Sequence, residues 1–456
     1  MKKLTEEATV ENVLQSIKEN KYNRIKDIKD FIEALEEIEG NMFISLDAQW
    51  GAGKTFYVRQ IEQTLKYLTR RVKGLDIKEV DAYFSANSIL NQIELNFTYF
   101  PIYYNAWLYD NHDDPLMSLI LLIMKEYEGF CNTRINSSLG DQVATLADCF
   151  SLLIGGVQIG GNHRSVKEAL QGKDILESVK TAEEIREYVK EIFNNVIVEN
   201  VDKLVIFIDE LDRCRPSFAI EMLERIKHYF DDDRIIIIAS VNRGQLIHSI
   251  SKCYGQNFDS TGYLDKFFDR NVYLPELDVT FGGVKILKFA DTQYHLEKVA
   301  NDLNAYYRLS LRENLRFYAS ISYAASTEYI CDGEANGLIL SAFVPIIAVL
   351  TIRDENKKAK FIGGDSSILD ELFNNIPALY QIACLFGEKN GEESEKNFQI
   401  GFKKICEVYN YMFGSSKKEW ILPTMKISRD IKSICFKLCN GFPIGNKMFF
   451  GGGWSY

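Results

Sequence analysis

Apolar positions near the start of the chain recur at helical spacing, at Val13, Leu14 and Ile17 and then at Ile25, Ile28, Ile32 and Leu35. They predict helices leading into a first strand. The run NMFISLD (41–47) is apolar but too short for a helix; it ends at a glycine loop, and TFYVRQIEQTLKYL (55–68) then resumes helical spacing. That order reads as strand, loop, helix. YFPIYYNAWLY (99–109) predicts an aromatic second strand and PLMSLILLIMKEY (115–127) the helix after it. An amphipathic helix is expected on AEEIREYVKEIFNNVI (182–197). KLVIFID (203–209) and RIIIIASV (234–241) are unbroken β-branched runs of the kind buried on both faces of a parallel sheet, and RNVYLPEL (270–277) predicts a fifth strand.

Strands separated by helices imply crossover units and an α/β fold, a mostly parallel sheet covered on both sides. At 456 residues the chain exceeds one compact core. We therefore expect a helical lead-in over 1–40, a sheet-containing core over 41–280 with a glycine-rich insertion near 130–175, and a mainly helical region over 281–456. The uncharged run GLILSAFVPIIAVLTI (337–352), with Pro345 near its middle, falls short of the about 20 residues a spanning helix needs. It reads as a buried core helix.

Composition narrows the setting. Net charge is −11, which argues against nucleic-acid binding through a global field, although LKYLTRRVK (65–73) and KKAK (357–360) are small basic clusters. The 9 cysteines are scattered without a C-x-x-C pair, which fits reduced thiols. MKKLTEEATVENVLQ has no apolar stretch of the export type, so a cytoplasmic protein is expected.

The chemistry starts at DAQWGAGKT (47–55), which matches G-x-x-x-x-G-K-[ST] except that Ala48 stands at the first position, where the chain leaves the strand. Alanine is tolerated there if φ is negative. The working groups remain: amides from Gln49, Trp50, Gly51, Ala52, Gly53, Lys54, Thr55 and Phe56 can curl around a phosphate at a helix N-terminus. Lys54 can neutralise β- and γ-phosphate charge, and the Thr55 hydroxyl can ligate Mg²⁺. LVIFIDELDRCRP (204–216) ends a strand in Asp209, suited to holding Mg²⁺, and Glu210, suited to polarising an attacking water as general base. Asn242, after the strand IIIIASV, fits a sensor of the γ-phosphate or that water. Arg213, Arg215, Arg243 and Arg270 are candidates for stabilising transition-state charge, each with an ordinary salt bridge as its alternative. Trp50 and Trp107 read as core anchors, with packing near the phosphate loop as the other reading. Asp110, His112, Asp113 and Asp114 read as a solvated helix start rather than a metal site.

DAQWGAGKT, NAWLYDNHDDPL, FIDELDRCRP and YLDKFFDRNVYLP together resemble the KAP family of P-loop NTPases, in the STAND branch of the additional-strand class, over about residues 20–320. The resemblance implies strand order 5-1-4-3-2, ATP and Mg²⁺ as cofactors, Lys54 and Thr55 as the Walker A pair, and Asp209 and Glu210 as the Walker B pair. Asp212, Arg213, Cys214 and Pro216 fall in the family signature. SLRENLRF (310–317) resembles the helix that supplies a sensor arginine, with Arg312 the match and Arg316 the alternative. Departures are Ala48 for glycine, Asn242 where aspartate is frequent, and the lack of a membrane hairpin between the Walker motifs, which implies a soluble member.

These readings lead to an ATPase whose nucleotide state switches the helical region, with a role in antiviral defence implied by the resemblance. The rivals are a nucleotide-gated scaffold that recruits a protein effector without turnover, and a nucleic-acid motor or sensor. A protein partner and a homo-oligomer are expected, and a membrane association is not.

Overall fold

The computed structural model describes residues 7–112, 114–131, 186–194, 197, 201–275, 293–326, 334–387, 394–414, 443–444 and 447–448. The expected insertion near 130–175 lies almost wholly outside them. The chain divides into two units, Glu7–Leu277 and the residues from Asp278 onward.

The first unit is built on five strands: β1 (Met42–Asp47), β2 (Tyr99–Asn105), β3 (Lys203–Asp209), β4 (Ile235–Val241) and β5 (Arg270–Tyr273). All are parallel in the order β2-β3-β4-β1-β5, which from the other edge reads β5-β1-β4-β3-β2. β4 therefore lies between the strand that leads into the glycine loop and the strand that ends in Asp209. β3 and β4 are buried along their whole length because alternate residues serve opposite faces. Val205, Phe207, Ile236 and Ile238 face one core, and Leu204, Ile206, Ile208, Ile235 and Ile237 face the other. Each such side chain contributes about 1.5–3 kcal/mol by leaving water, so a charge in place of any of these nine would disrupt a core.

Helices α1 (Val10–Lys18), α2 (Ile25–Glu36) and α3 (Lys54–Val72) supply the first core. Val13, Leu14 and Ile17, and then Ile25, Ile28, Ile32 and Leu35, are buried as their spacing predicts. Helix α4 (Lys78–Phe84) and the short α5 (Ser88–Asn91), not expected from sequence, add Phe84 and Leu90 to the same core; Phe84 stacks on Tyr67 at 4.2 Å. On the opposite face lie α7 (Pro115–Cys131) and the helices Pro216–Tyr229 and Arg243–Tyr254. Residues 186–194 of the expected amphipathic helix are helical, and Val189, Ile192 and Phe193 join this core.

Two strand boundaries differ from expectation. β2 stops at Asn105 because the Asn105 side chain accepts from the Leu108 amide and starts a single helical turn, α6 (Ala106–Tyr109). β5 stops at Tyr273, after pairing with the last four residues of β1.

The second unit is helical where described, apart from an antiparallel pair at Pro443–Ile444 and Lys447–Met448. Its centre is the helix Glu334–Arg353, long and apolar enough to cross a membrane but 83% buried within the protein, as a core helix would be. Helices Gln293–Tyr307, Leu311–Ser326, Pro377–Leu385 and Glu395–Phe413 share its core. The last two approach so closely at Gly401 that a Cβ there would lie 1.7 Å from the Ala383 carbonyl oxygen.

Candidate functional site

β1, β3 and β4 end side by side, with Asp47 in register with Val241 and Asp209 with Ser240. Crevices beyond the carboxyl ends of parallel strands are where such sheets bind ligands.

From Asp47 the chain turns through residues 48–53 into α3. Gly51 and Gly53 both adopt the left-handed region (φ 85° and 90°), which alanine would reach only under strain. Ala48 stays outside that region, and its amide still bonds to the Val241 carbonyl at 3.2 Å, so losing glycine there costs the loop nothing visible. Gly53 caps α3 without a side chain, and among the described residues the amides of Gly51, Gly53, Lys54 and Thr55 meet no protein acceptor. Open amides at a helix N-terminus form an anion site.

Lys54 lies under this loop, 9% exposed, with its ammonium donating to the carbonyls of Ala48 (2.5 Å) and Gln49 (3.3 Å). Burial lowers its pKa, and the carboxylates of Asp212, Asp209, Glu210 and Asp47 partly restore it. Thr55 Oγ1 donates to Glu210 Oε1 at 3.4 Å, which joins the two Walker elements. Asp209, 1% exposed, accepts from the Tyr103 hydroxyl at 3.0 Å. Burial and then the Asp209 carboxylate push the Tyr103 phenol far above its ordinary range.

Glu210 is the one non-glycine residue near the site in the left-handed region (φ 62°). Its carboxyl is raised by burial and then by Asp209, against the pull of Arg213, whose guanidinium pairs with Glu210 Oε2. Arg213 also lies over the Trp107 ring, 5.7 Å from its centre.

The candidates thus separate. Lys54, Thr55, Asp209, Glu210 and Arg213 converge, with Gln49, Trp50, Ala52 and Phe56 in the loop and first turn of α3. Asn242 stands at the end of β4, but its side-chain oxygen caps the next helix by accepting from the Gln245 amide at 3.2 Å. Arg215 is tied to Asp110 at 3.1 Å, and Arg243 joins Asn271 (2.7 Å) and Asp265, while its amide donates to Asp47 (2.9 Å). Arg270 opens β5 beside Ile44, at the far end from the loop. Arg312 is exposed on the first turn of its helix in the other unit.

Two expectations need correction. Trp50 and Trp107 are not core anchors: they are 47% and 56% exposed, with Trp50 donating its indole N–H to Asp212. Asp114 is not solvated: it is 6% exposed, caps α7 through the Leu116 and Met117 amides at 2.8 and 3.1 Å, and faces Arg225 at 3.3 Å. The basic clusters are partly engaged internally: Arg71 donates to the Ile93 carbonyl, Lys357 pairs with Glu371 and Lys358 with Glu355. Among the described residues no cluster of His, Cys, Asp and Glu has the form of an all-protein metal site.

A divalent ion bound with a nucleotide asks less of the protein, and the donor set suits one. Asp47, Asp209, Glu210 and Asp212 surround a single buried ammonium, an excess of oxygen donors and negative charge that a hard cation would neutralise. Ser240, in register with Asp209, carries a fully buried hydroxyl without a partner among the described residues, so a polar group is provided for beside the carboxylate. Tyr103 and Ser240 were not singled out from sequence, because only strand register brings them to the site.

No curated protein matches the chain. The family model described as the KAP family P-loop domain matches residues 24–282, more than half of the chain, and takes in β1 to β5 with the glycine loop and the acidic pair. With a parallel sheet of that order and the loop lysine set against the β3 carboxylates, the chain belongs to the KAP family of P-loop NTPases.

Proposed function

We propose that this chain binds ATP with Mg²⁺ at the loop 48–55 and hydrolyses it slowly, the nucleotide state acting as a switch for a protein partner. The observation that carries the reading is the convergence of Lys54, Asp209 and Glu210 beneath a helix start whose amides are open. The amides of Gly51, Gly53, Lys54 and Thr55 would receive the phosphates, and Lys54 would exchange two backbone carbonyls for phosphate oxygens. Asp209 and Thr55 would hold Mg²⁺, which supplies charge neutralisation on the phosphates. Glu210 would orient the attacking water and take its proton as the phosphoanhydride bond breaks. Arg213, paired with Glu210, would meet developing charge, and Asn242 would offer its NH₂ to the γ-phosphate; Arg312 as a sensor from the helical unit rests on the resemblance alone.

One feature favours the rival reading of a nucleotide-gated scaffold. Glu210 is paired with Arg213, so it must leave that partner before it can act as a base. Phosphate release by the full chain separates the readings: hydrolysis supports the ATPase, and tight ATP binding without release supports the scaffold. Binding itself is tested by calorimetry with magnesium-ATP. Lys54→Ala is expected to weaken binding by about 100-fold or more, roughly 2.7 kcal/mol. Equal heats for the two proteins would reject the site.

A further inference from the structure

We propose that Tyr103 is a positioning residue for the metal-binding carboxylate: its hydroxyl holds Asp209 Oδ2 at 3.0 Å and so leaves Oδ1 as the oxygen presented to the cation of a bound nucleotide. The inference rests on the reading of the site as one for a magnesium nucleotide. Tyr103 lies on β2, in register with Phe207 two residues before Asp209, so both side chains leave the same face of the sheet. That face is the one covered by α3, the helix that follows the phosphate loop.

The phenol is itself fixed from α3. The Arg59 guanidinium lies over the Tyr103 ring at 4.5 Å, and Arg59 is anchored to Glu62 at 2.8 Å. Glu62 is 1% exposed and also pairs with Lys66 at 2.8 Å. A continuous line of contacts, Glu62 to Arg59 to Tyr103 to Asp209, therefore joins the helix that would receive phosphate to the carboxylate that would receive the ion. A carboxylate 1% exposed with one hydroxyl donor has its rotation restricted by that donor; removing the hydroxyl alone, with the ring kept, frees the carboxylate without opening the core. Outer-shell partners of this type orient the ligand, and removing one typically costs roughly 10- to 100-fold in metal affinity.

The test uses the full chain saturated with the non-hydrolysable analogue β,γ-imido-ATP, titrated with Mn²⁺ while free ion is followed by electron paramagnetic resonance. For Tyr103→Phe, Mn²⁺ affinity should fall roughly 10- to 100-fold, while nucleotide affinity measured in EDTA changes by less than about two-fold. Arg59→Gln should shift Mn²⁺ affinity in the same direction by less. Unchanged Mn²⁺ affinity in Tyr103→Phe, or an equal loss of metal-free nucleotide binding, would overturn the proposal. If Tyr103→Phe does not fold by circular dichroism, Arg59→Gln decides: an unshifted titration overturns it. A wild-type chain with no nucleotide-dependent Mn²⁺ site would overturn the parent reading and this inference together, whereas a normal wild-type site with an indifferent Tyr103→Phe removes this inference alone.

Discussion

In the α/β unit, three buried ionisable side chains gather where the strands end: Lys54, Asp209 and Asp212 are each less than a tenth exposed and stand around one loop. In the helical unit the interior is built from rings and aliphatic chains, with Phe343 at the meeting of Phe361, Tyr409 and Phe413. The buried charge there, among the described residues, is Lys358, paired with Glu355 one helical turn away. In that core the Tyr409 hydroxyl donates to the Phe361 carbonyl at 2.5 Å. Burying several like charges together is unfavourable, and a fold accepts it where a ligand completes the set. Among the described residues, the helical unit holds no comparable gathering of buried charge.

The contrast can be sharpened by substitutions that separate chemistry from packing. The largest effect is expected from Glu210→Gln, which should lower turnover roughly 10²- to 10⁴-fold in a phosphate-release assay with magnesium-ATP affinity retained. Equal rates would exclude Glu210 as the base. Phe343→Ala should do the opposite. It should cost about 3–5 kcal/mol in the helical unit, seen as a lowered transition by scanning calorimetry, with nucleotide affinity unchanged. A matched loss of affinity would break the division of labour.

A smaller effect concerns pH. The Glu210 carboxyl is raised by burial and by Asp209, and a base must be deprotonated, so activity should fail on the acid side at a higher pH than for an ordinary glutamate. Arg213 pulls that carboxyl down; in Arg213→Gln the acid limb of kcat should therefore move to still higher pH. A limb that stays in place or moves down would show that the pair does not govern the base.

Much of this was legible in the chain because the signals were local. β3 and β4 are uninterrupted β-branched runs, and the loop Gly51–Thr55 carries its chemistry within five residues. The aromatic run after β2 misled because Trp107 and Leu108 prolong an apolar pattern; in the fold they are 56% and 70% exposed on a turn capped by Asn105. Trp50 misled for the same reason, since hydrophobicity alone cannot tell a core anchor from a side chain at the mouth of a site. Asn242 was visible as a polar residue at a strand end, but its role as a helix cap depends on the turn that follows. Tyr103 and Ser240 were invisible because it is the pairing of separate parallel strands that brings each of them to Asp209.

The placement of Trp50 and Trp107 has a practical outcome. The chain has 4 tryptophans, and these two sit at the lip of the crevice, one hydrogen-bonded to a carboxylate and the other beneath a guanidinium. Their emission is sensitive to both kinds of neighbour, so the unlabelled protein carries its own optical gauge of occupancy. Replacing each in turn by phenylalanine would assign which side of the crevice reports the arrival of nucleotide.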